Sequence, residues 1–116
     1  MIIARLKRDA ERRTYELDMS GHAGYAERGK DIVCAGCSAL AYAAYNTLVA
    51  FAEAGHCTVD EAVVGKQGEA EFQLRITADD GLHDALTMSI FAVLAHGLEA
   101  IALQYPKHVS FELANE

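Results

Sequence analysis

The stretch Ala70-Glu71-Phe72-Gln73-Leu74-Arg75-Ile76-Thr77-Ala78-Asp79-Asp80-Gly81-Leu82 changes its periodicity midway. Up to Ile76, apolar Ala70, Phe72, Leu74 and Ile76 alternate with polar Glu71, Gln73 and Arg75, the period of a strand buried on one face. Asp79-Asp80 then offers carboxylates that can accept from the free N–H groups of a first helical turn. Beyond it Leu82, Leu86, Ile90, Val93, Leu94, Gly97 and Ile101 form an apolar stripe at helical spacing, and Pro106 lies just past its end. A half-buried strand running into a capped amphipathic helix predicts one layer of helix on one layer of sheet.

The flanking sequence repeats this alternation. Residues 2–8 place Ile2, Ala4 and Leu6 on one face, and residues 14–20 place Tyr15, Leu17 and Met19 opposite Thr14, Glu16, Asp18 and Ser20. Asp9-Ala10-Glu11-Arg12 is short enough to connect them as a hairpin. Residues 58–64 are a weaker strand, and Gly65-Lys66-Gln67-Gly68 closes a second hairpin onto the strand that starts at Ala70. A helix is predicted from Cys34 to Ala54, with Leu40, Ala44, Leu48 and Phe51 at helical spacing, Asp31 as N-cap and Gly55 as stop. A last strand points Val109, Phe111 and Leu113 inward. The order ββαββαβ, with hairpins outnumbering parallel crossovers, predicts an α/β protein of the α+β type. It is a two-layer sandwich of two helices on a mostly antiparallel sheet.

With 116 residues, 52% hydrophobic and 23% charged, the chain reads as a single domain over residues 1–116. A domain of that size buries roughly two-thirds of its unfolded surface, enough to fold without disulfide or metal. The formal charge of −7 argues against tracking nucleic-acid phosphates and is compatible with a basic partner. Apolar stretches broken by charge or glycine before ~20 residues predict no membrane span. The start Met1-Ile2-Ile3-Ala4-Arg5 lacks a signal-peptide layout, and cytoplasmic location is the expectation. Three cysteines, an odd number without a secretion signal, read as reduced thiols.

Chemistry concentrates in Ser20-Gly21-His22-Ala23-Gly24-Tyr25-Ala26 and Gly29-Lys30-Asp31-Ile32-Val33-Cys34-Ala35-Gly36-Cys37-Ser38. Gly21, Gly24 and Gly29, without sustained periodicity, mark residues 21–31 as a mobile surface loop that would close over a substrate. Cys34 falls in the first turn of the predicted helix, where the helix dipole and a nearby histidine are the two usual ways to favour a thiolate. The loop could bring His22 to that thiol as a base, and N–H groups of the helix start could hold an oxyanion. Plainer readings stand beside these: Cys34 as a small core residue, His22 as a turn residue, Asp31 as a cap, Tyr25 and Ser38 as structural.

Cys34-Ala35-Gly36-Cys37 also has the Cys-x-x-Cys spacing of thiol redox sites and of half a zinc site. A redox site usually sits in a βαβ setting, whereas hairpin strands precede this one. Zinc would need two more ligands, and His56-Cys57 are adjacent rather than spaced. No metal or other cofactor is expected. His83, His96 and His108 are scattered and read as solvent-facing or satisfied.

Ser-Gly-His-Ala at 20–23, then Gly-x-Asp-Ile-Val-Cys-Ala at 29–35 and Ser38, resembles the ribosomal-processing cysteine protease family called Prp. The resemblance implies an endopeptidase that removes the N-terminal extension of ribosomal protein twenty-seven of the bacterial large subunit, cutting beside aromatic residues and supporting ribosome assembly. By position His22 and Cys34 inherit the catalytic pair, Asp31 and Ser38 match supporting positions, and the family implies a homodimer. Cys37 departs from the pattern, where an aliphatic residue is expected, and leaves open a Cys34–Cys37 bridge. The alternative function is a non-proteolytic dithiol redox or metal-binding module built on Cys34 and Cys37.

Overall fold

Strands β1 (Ile2–Asp9), β2 (Thr14–Gly21), β3 (Cys57–Val64), β4 (Phe72–Ala78) and β5 (Val109–Asn115) and helices α1 (Ile32–Glu53) and α2 (Gly81–Gln104) make up the fold. They are seen in a computed structural model that describes residues 1–27, 29–66 and 69–115. The sheet order is β3-β4-β2-β1-β5, antiparallel at every pair except β1–β5. Both helices lie over one face of it, as the alternation predicts. Ile2, Ala4, Leu6, Tyr15, Leu17, Met19, Phe72, Leu74 and Ile76 are all buried there. The β1–β2 hairpin pairs Asp9 with Thr14, and Asp9 Oδ1 accepts from the Arg12 N–H inside the turn.

Parallel crossovers carry more of the topology than expected. β2 and β3 flank β4 and run parallel to each other, so α1 is a crossover; α2 likewise returns the chain from β4 to the parallel strand β5. Each hairpin partner is thus inserted between, or beside, strands joined through a helix. β3 reads weakly because it is an edge strand whose pairing shifts between Val59 and Glu61, a bulge that breaks the alternation. Of the expected Gly65-Lys66-Gln67-Gly68 turn, Gln67 and Gly68 lie outside the described residues, while Gly65 N–H donates to Glu71 O at 2.7 Å.

β5 and α2 correct two further expectations. In β5 Val109 is buried and Phe111 partly so, but Leu113 is 56% exposed because that edge strand runs past the helical cover. On α2 the buried residues are Thr87, Phe91, Leu94, Ala95 and Leu98, one step around from the predicted stripe, which leaves Leu82 and Val93 exposed. Gly97 and Ile101 face α1 instead. A Cβ at Gly97 would come within 2.7 Å of Leu40, so glycine there sets how closely the helices approach. Apolar residues surround most of α2, so periodicity alone does not choose its buried face. By length and composition α1 and α2 would each suffice to cross a membrane, contrary to the interrupted-stretch expectation. Both instead lay buried residues on the sheet.

Candidate active site

β2 ends at Gly21, whose φ of +99° lets the chain turn off the sheet, and a Cβ there would collide with the Met1 carbonyl oxygen. His22 follows, exposed, then Ala23, only 3% exposed. The chain then reaches α1 through Asp31, the N-cap, as expected from sequence. The positive φ of Gly24 and Gly29 accounts for glycine at these positions on conformation alone. The described part of the loop is tied down rather than free-standing, because Tyr25 and Ala26 N–H both donate to Asp31 Oδ2.

Asp31 does more than cap. Its Oδ1 accepts from Val33 and Cys34 N–H, both at 3.0 Å, while Oδ2 holds the loop at 3.0 and 3.3 Å. Burial pushes this carboxyl up, but the four backbone donors outweigh it and hold it below the usual carboxylate range. One buried side chain therefore welds the glycine loop to the helix start. The same bonds correct the oxyanion expectation: the Val33 and Cys34 amides belong to Asp31 Oδ1, and Ala35 N–H belongs to the Asp31 carbonyl at 3.0 Å. None of the three is open to a substrate oxygen.

Cys34 is buried in the first turn of α1, and its Sγ lies 3.3 Å from His22 Nδ1. Ala23 N–H also donates to this sulfur at 3.3 Å. Burial pushes the thiol up, the Ala23 N–H opposes that, and the neighbouring Asp31 carboxylate adds to it, leaving the thiol above its ordinary value. Against the expectation of a thiolate favoured by helix start and histidine, burial first and the Asp31 carboxylate after it work to keep the proton on this sulfur. The thiol and the imidazole are in contact, placed to pass a proton as the sulfur attacks.

Ser38 is buried one turn further along α1. Cys37 is fully buried, and burial, with Cys34 and Asp31 close by, pushes its thiol up to about 12. Such a thiol is a poor nucleophile and a poor ligand. Cys57 donates to the Leu48 carbonyl, fourteen residues along α1 from Cys34, which is about 20 Å of helix. His56 and Cys57 therefore cannot complete a zinc site with Cys34 and Cys37. Among the described residues, ligand atoms of His22, Asp31 and Cys34 lie within 4.8 Å of one another. With four N–H donors on its two oxygens, Asp31 has no lone pair left for a metal, so the three do not form a ligand set as they stand.

One neighbour was not legible in the sequence. His108, which opens into β5, places Nδ1 2.8 Å from the Ala23 carbonyl, across 85 residues of chain. His83, by contrast, bonds the Asp80 cap, and His96 is exposed, as expected.

A small α+β protein, two helices on a five-stranded mixed sheet, thus sets a thiol and an imidazole in contact at the start of a helix, the two groups that cysteine peptidase chemistry requires. The family described as cysteine protease Prp matches residues 1–110, and the chain belongs to that family. The ribosomal processing cysteine protease Prp of Bacillus subtilis (strain 168) is 38% identical over 52 residues, 45% of this chain and 46% of that protein. The matched segment thus spans about half the length of this curated relative. An essential ribosomal processing protease Prp from S. aureus, in complex with a covalently linked product peptide, superposes with a TM-score of 0.73. Its identity is 22%, over 97% of this chain and 99% of that one. SMU.848 from Streptococcus mutans gives a TM-score of 0.65 at 26% identity, over 100% and 96% of the two chains.

Proposed function

We propose that this protein is a cysteine endopeptidase that removes the N-terminal extension of ribosomal protein twenty-seven of the bacterial large subunit. The observation that carries the reading is the 3.3 Å contact of Cys34 Sγ with His22 Nδ1 in a chain of the Prp family. The substrate is drawn from relatives whose names specify ribosomal processing, one of them holding a covalently linked product peptide. In this mechanism His22 Nδ1 accepts the thiol proton while Sγ attacks the peptide carbonyl carbon. The imidazolium then gives that proton to the departing amine as the C–N bond breaks, leaving a thioester. Water, deprotonated by His22, hydrolyses the thioester and restores the thiol. Asp31 supports this by holding loop and helix start together. The reading places the protein in the cytoplasm, where such a substrate is made, and its −7 charge suits a basic ribosomal protein.

The test is mass analysis of the ribosomal protein after incubation with wild type and with Cys37→Ala. Loss of the extension with both proteins is expected, because the fully buried Cys37 has no part in the mechanism. Activity that vanishes with Cys37 would instead favour the dithiol module.

A homodimer is part of the same reading, and exposed Leu82, Val93 and Leu103 on α2 supply apolar surface for it. Sedimentation at micromolar concentration should give twice the 12.5 kDa chain mass. A monomer there would contradict it.

A further inference from the structure

Between Gly21 and Gly24, both at positive φ, the chain carries His22 and Ala23 across the face of the sulfur. Glycine backbones rotate freely, so these two peptides would have little reason to hold one orientation unless something grips them from outside. Asp31 ties the loop further on, at Tyr25 and Ala26, and at Ala23 itself a second grip comes from the other end of the chain. His108 is itself held on both sides: its N–H donates to the Tyr105 carbonyl at the end of α2, and its carbonyl accepts from Ile2 N–H at the start of β1, both at 2.9 Å. From that platform its Nδ1 reaches the Ala23 carbonyl at 2.8 Å. Since a carbonyl oxygen only accepts, Nδ1 carries the hydrogen. The Tyr25 ring packs nearly perpendicular to the rings of both His108 and Tyr105.

We propose that His108 is a positioning residue for the thiol–imidazole pair: by holding the Ala23 carbonyl it aims the Ala23 N–H at the Cys34 sulfur and fixes the approach of His22. Ala23 is buried and its N–H touches Sγ at 3.3 Å, so its carbonyl and its N–H serve as two ends of one lever. Of the influences on the Cys34 thiol, this N–H is the foremost one that favours the anion, against burial and the Asp31 carboxylate. Loosening the lever should therefore raise the barrier to removing the thiol proton and should spread the positions sampled by the His22 ring. Substrate contacts need not change. The proposal deepens the protease reading and rests on Cys34 as its nucleophile.

Two substitutions of nearly equal shape separate donor from bulk. His108→Asn puts an amide N–H close to where Nδ1 stood, whereas His108→Leu has the same branching and no donor. The first measurement needs no substrate: the pH profile of Cys34 alkylation by iodoacetamide, read on the Cys34 peptide by mass spectrometry. His108→Leu should move the midpoint up by about one pH unit, the scale of one hydrogen bond to a charged group. His108→Asn should recover most of it. For cleavage, His108→Leu should lower kcat about tenfold, the rate equivalent of that shift, with KM little changed, and His108→Asn should again recover it. Should His108→Leu fail to fold, His108→Phe keeps the ring against Tyr25 and still lacks the donor. Equal profiles for wild type and the donorless variant would overturn the proposal, and so would equal losses in the Asn and Leu variants. If the alkylation profiles behave as stated but wild type leaves the ribosomal protein intact, the substrate assignment fails and the role of His108 stands.

Discussion

Cleavage of the extension by the Cys34→Ala variant should fall to the uncatalysed level, with the fold retained. No other thiol can take over, since Cys37 and Cys57 are both buried with their thiols pushed up, Cys37 to about 12. Alanine is a good helix former, but the Ala23 N–H loses its sulfur acceptor in a buried place, a loss of about 1 kcal/mol. Melting should therefore drop by only a few degrees, about 4–8 °C per kcal/mol being typical of slightly smaller domains. His22→Ala should also be severe, more than a hundredfold in the chemical step. Its severity follows from the raised Cys34 thiol: a site with a preformed thiolate would miss its base less than one that starts neutral. The deficit should shrink as pH rises, because hydroxide can then remove the proton that His22 no longer takes. Single-turnover cleavage from pH 6 to 10 decides it. Residual turnover within a few-fold of wild type for either variant would remove that residue from the mechanism.

What the sequence made legible is local. Alternation at Ile2, Ala4 and Leu6, at Tyr15, Leu17 and Met19, and at Phe72, Leu74 and Ile76 identifies strands because each has one face under helices. Asp31 and Asp80 announce helix starts because a carboxylate before an apolar run has a definite partner, the first-turn N–H groups. The His22–Cys34 contact, twelve residues apart, was accessible for the same reason: a short loop ties a strand end to a helix start. Three features were hidden, each by a different cause. The buried face of α2 is ambiguous because Leu82, Ile90, Phe91, Val93, Leu94 and Ile101 leave no polar side to exclude. The parallel pairing of β5 with β1 depends on where α2 delivers the chain, which local pattern does not encode. His108 is 85 residues from its partner Ala23 and bonds a backbone carbonyl, so no side-chain motif marks the pair.

Asp31→Asn should destabilise the fold and separate two properties of Cys34. A plain N-cap tolerates asparagine almost without loss, and the sequence alone suggests that outcome. Asp31, however, uses both oxygens, each accepting two backbone N–H groups. Asparagine has one oxygen with two lone pairs, and its NH2 group would face two N–H donors. Whichever way the amide turns, either the Val33 and Cys34 cap or the Tyr25 and Ala26 loop tie is lost. Two stranded donors at the low end of ~1–3 kcal/mol each come to about 2 kcal/mol, near 10 °C in melting midpoint. Acid sensitivity should change as well. The native carboxyl lies below its usual value of 3.8, so its stabilisation is complete above about pH 4 and is lost as pH falls through the lowered native value. The variant lacks that dependence. At Cys34 the effects have opposite signs: removing the carboxylate charge should make the thiol easier to ionise, since that charge contributes to its raised value. Alkylation of Cys34 at neutral pH should therefore speed up, while cleavage slows about tenfold or more because the loop that carries His22 and Ala23 is no longer tied to the helix. Faster alkylation with slower cleavage on one protein sample is the signature of a residue that holds the site together at the expense of thiol acidity. An unchanged melting midpoint would refute the four-bond account, and an unchanged cleavage rate would reduce Asp31 to a helix cap.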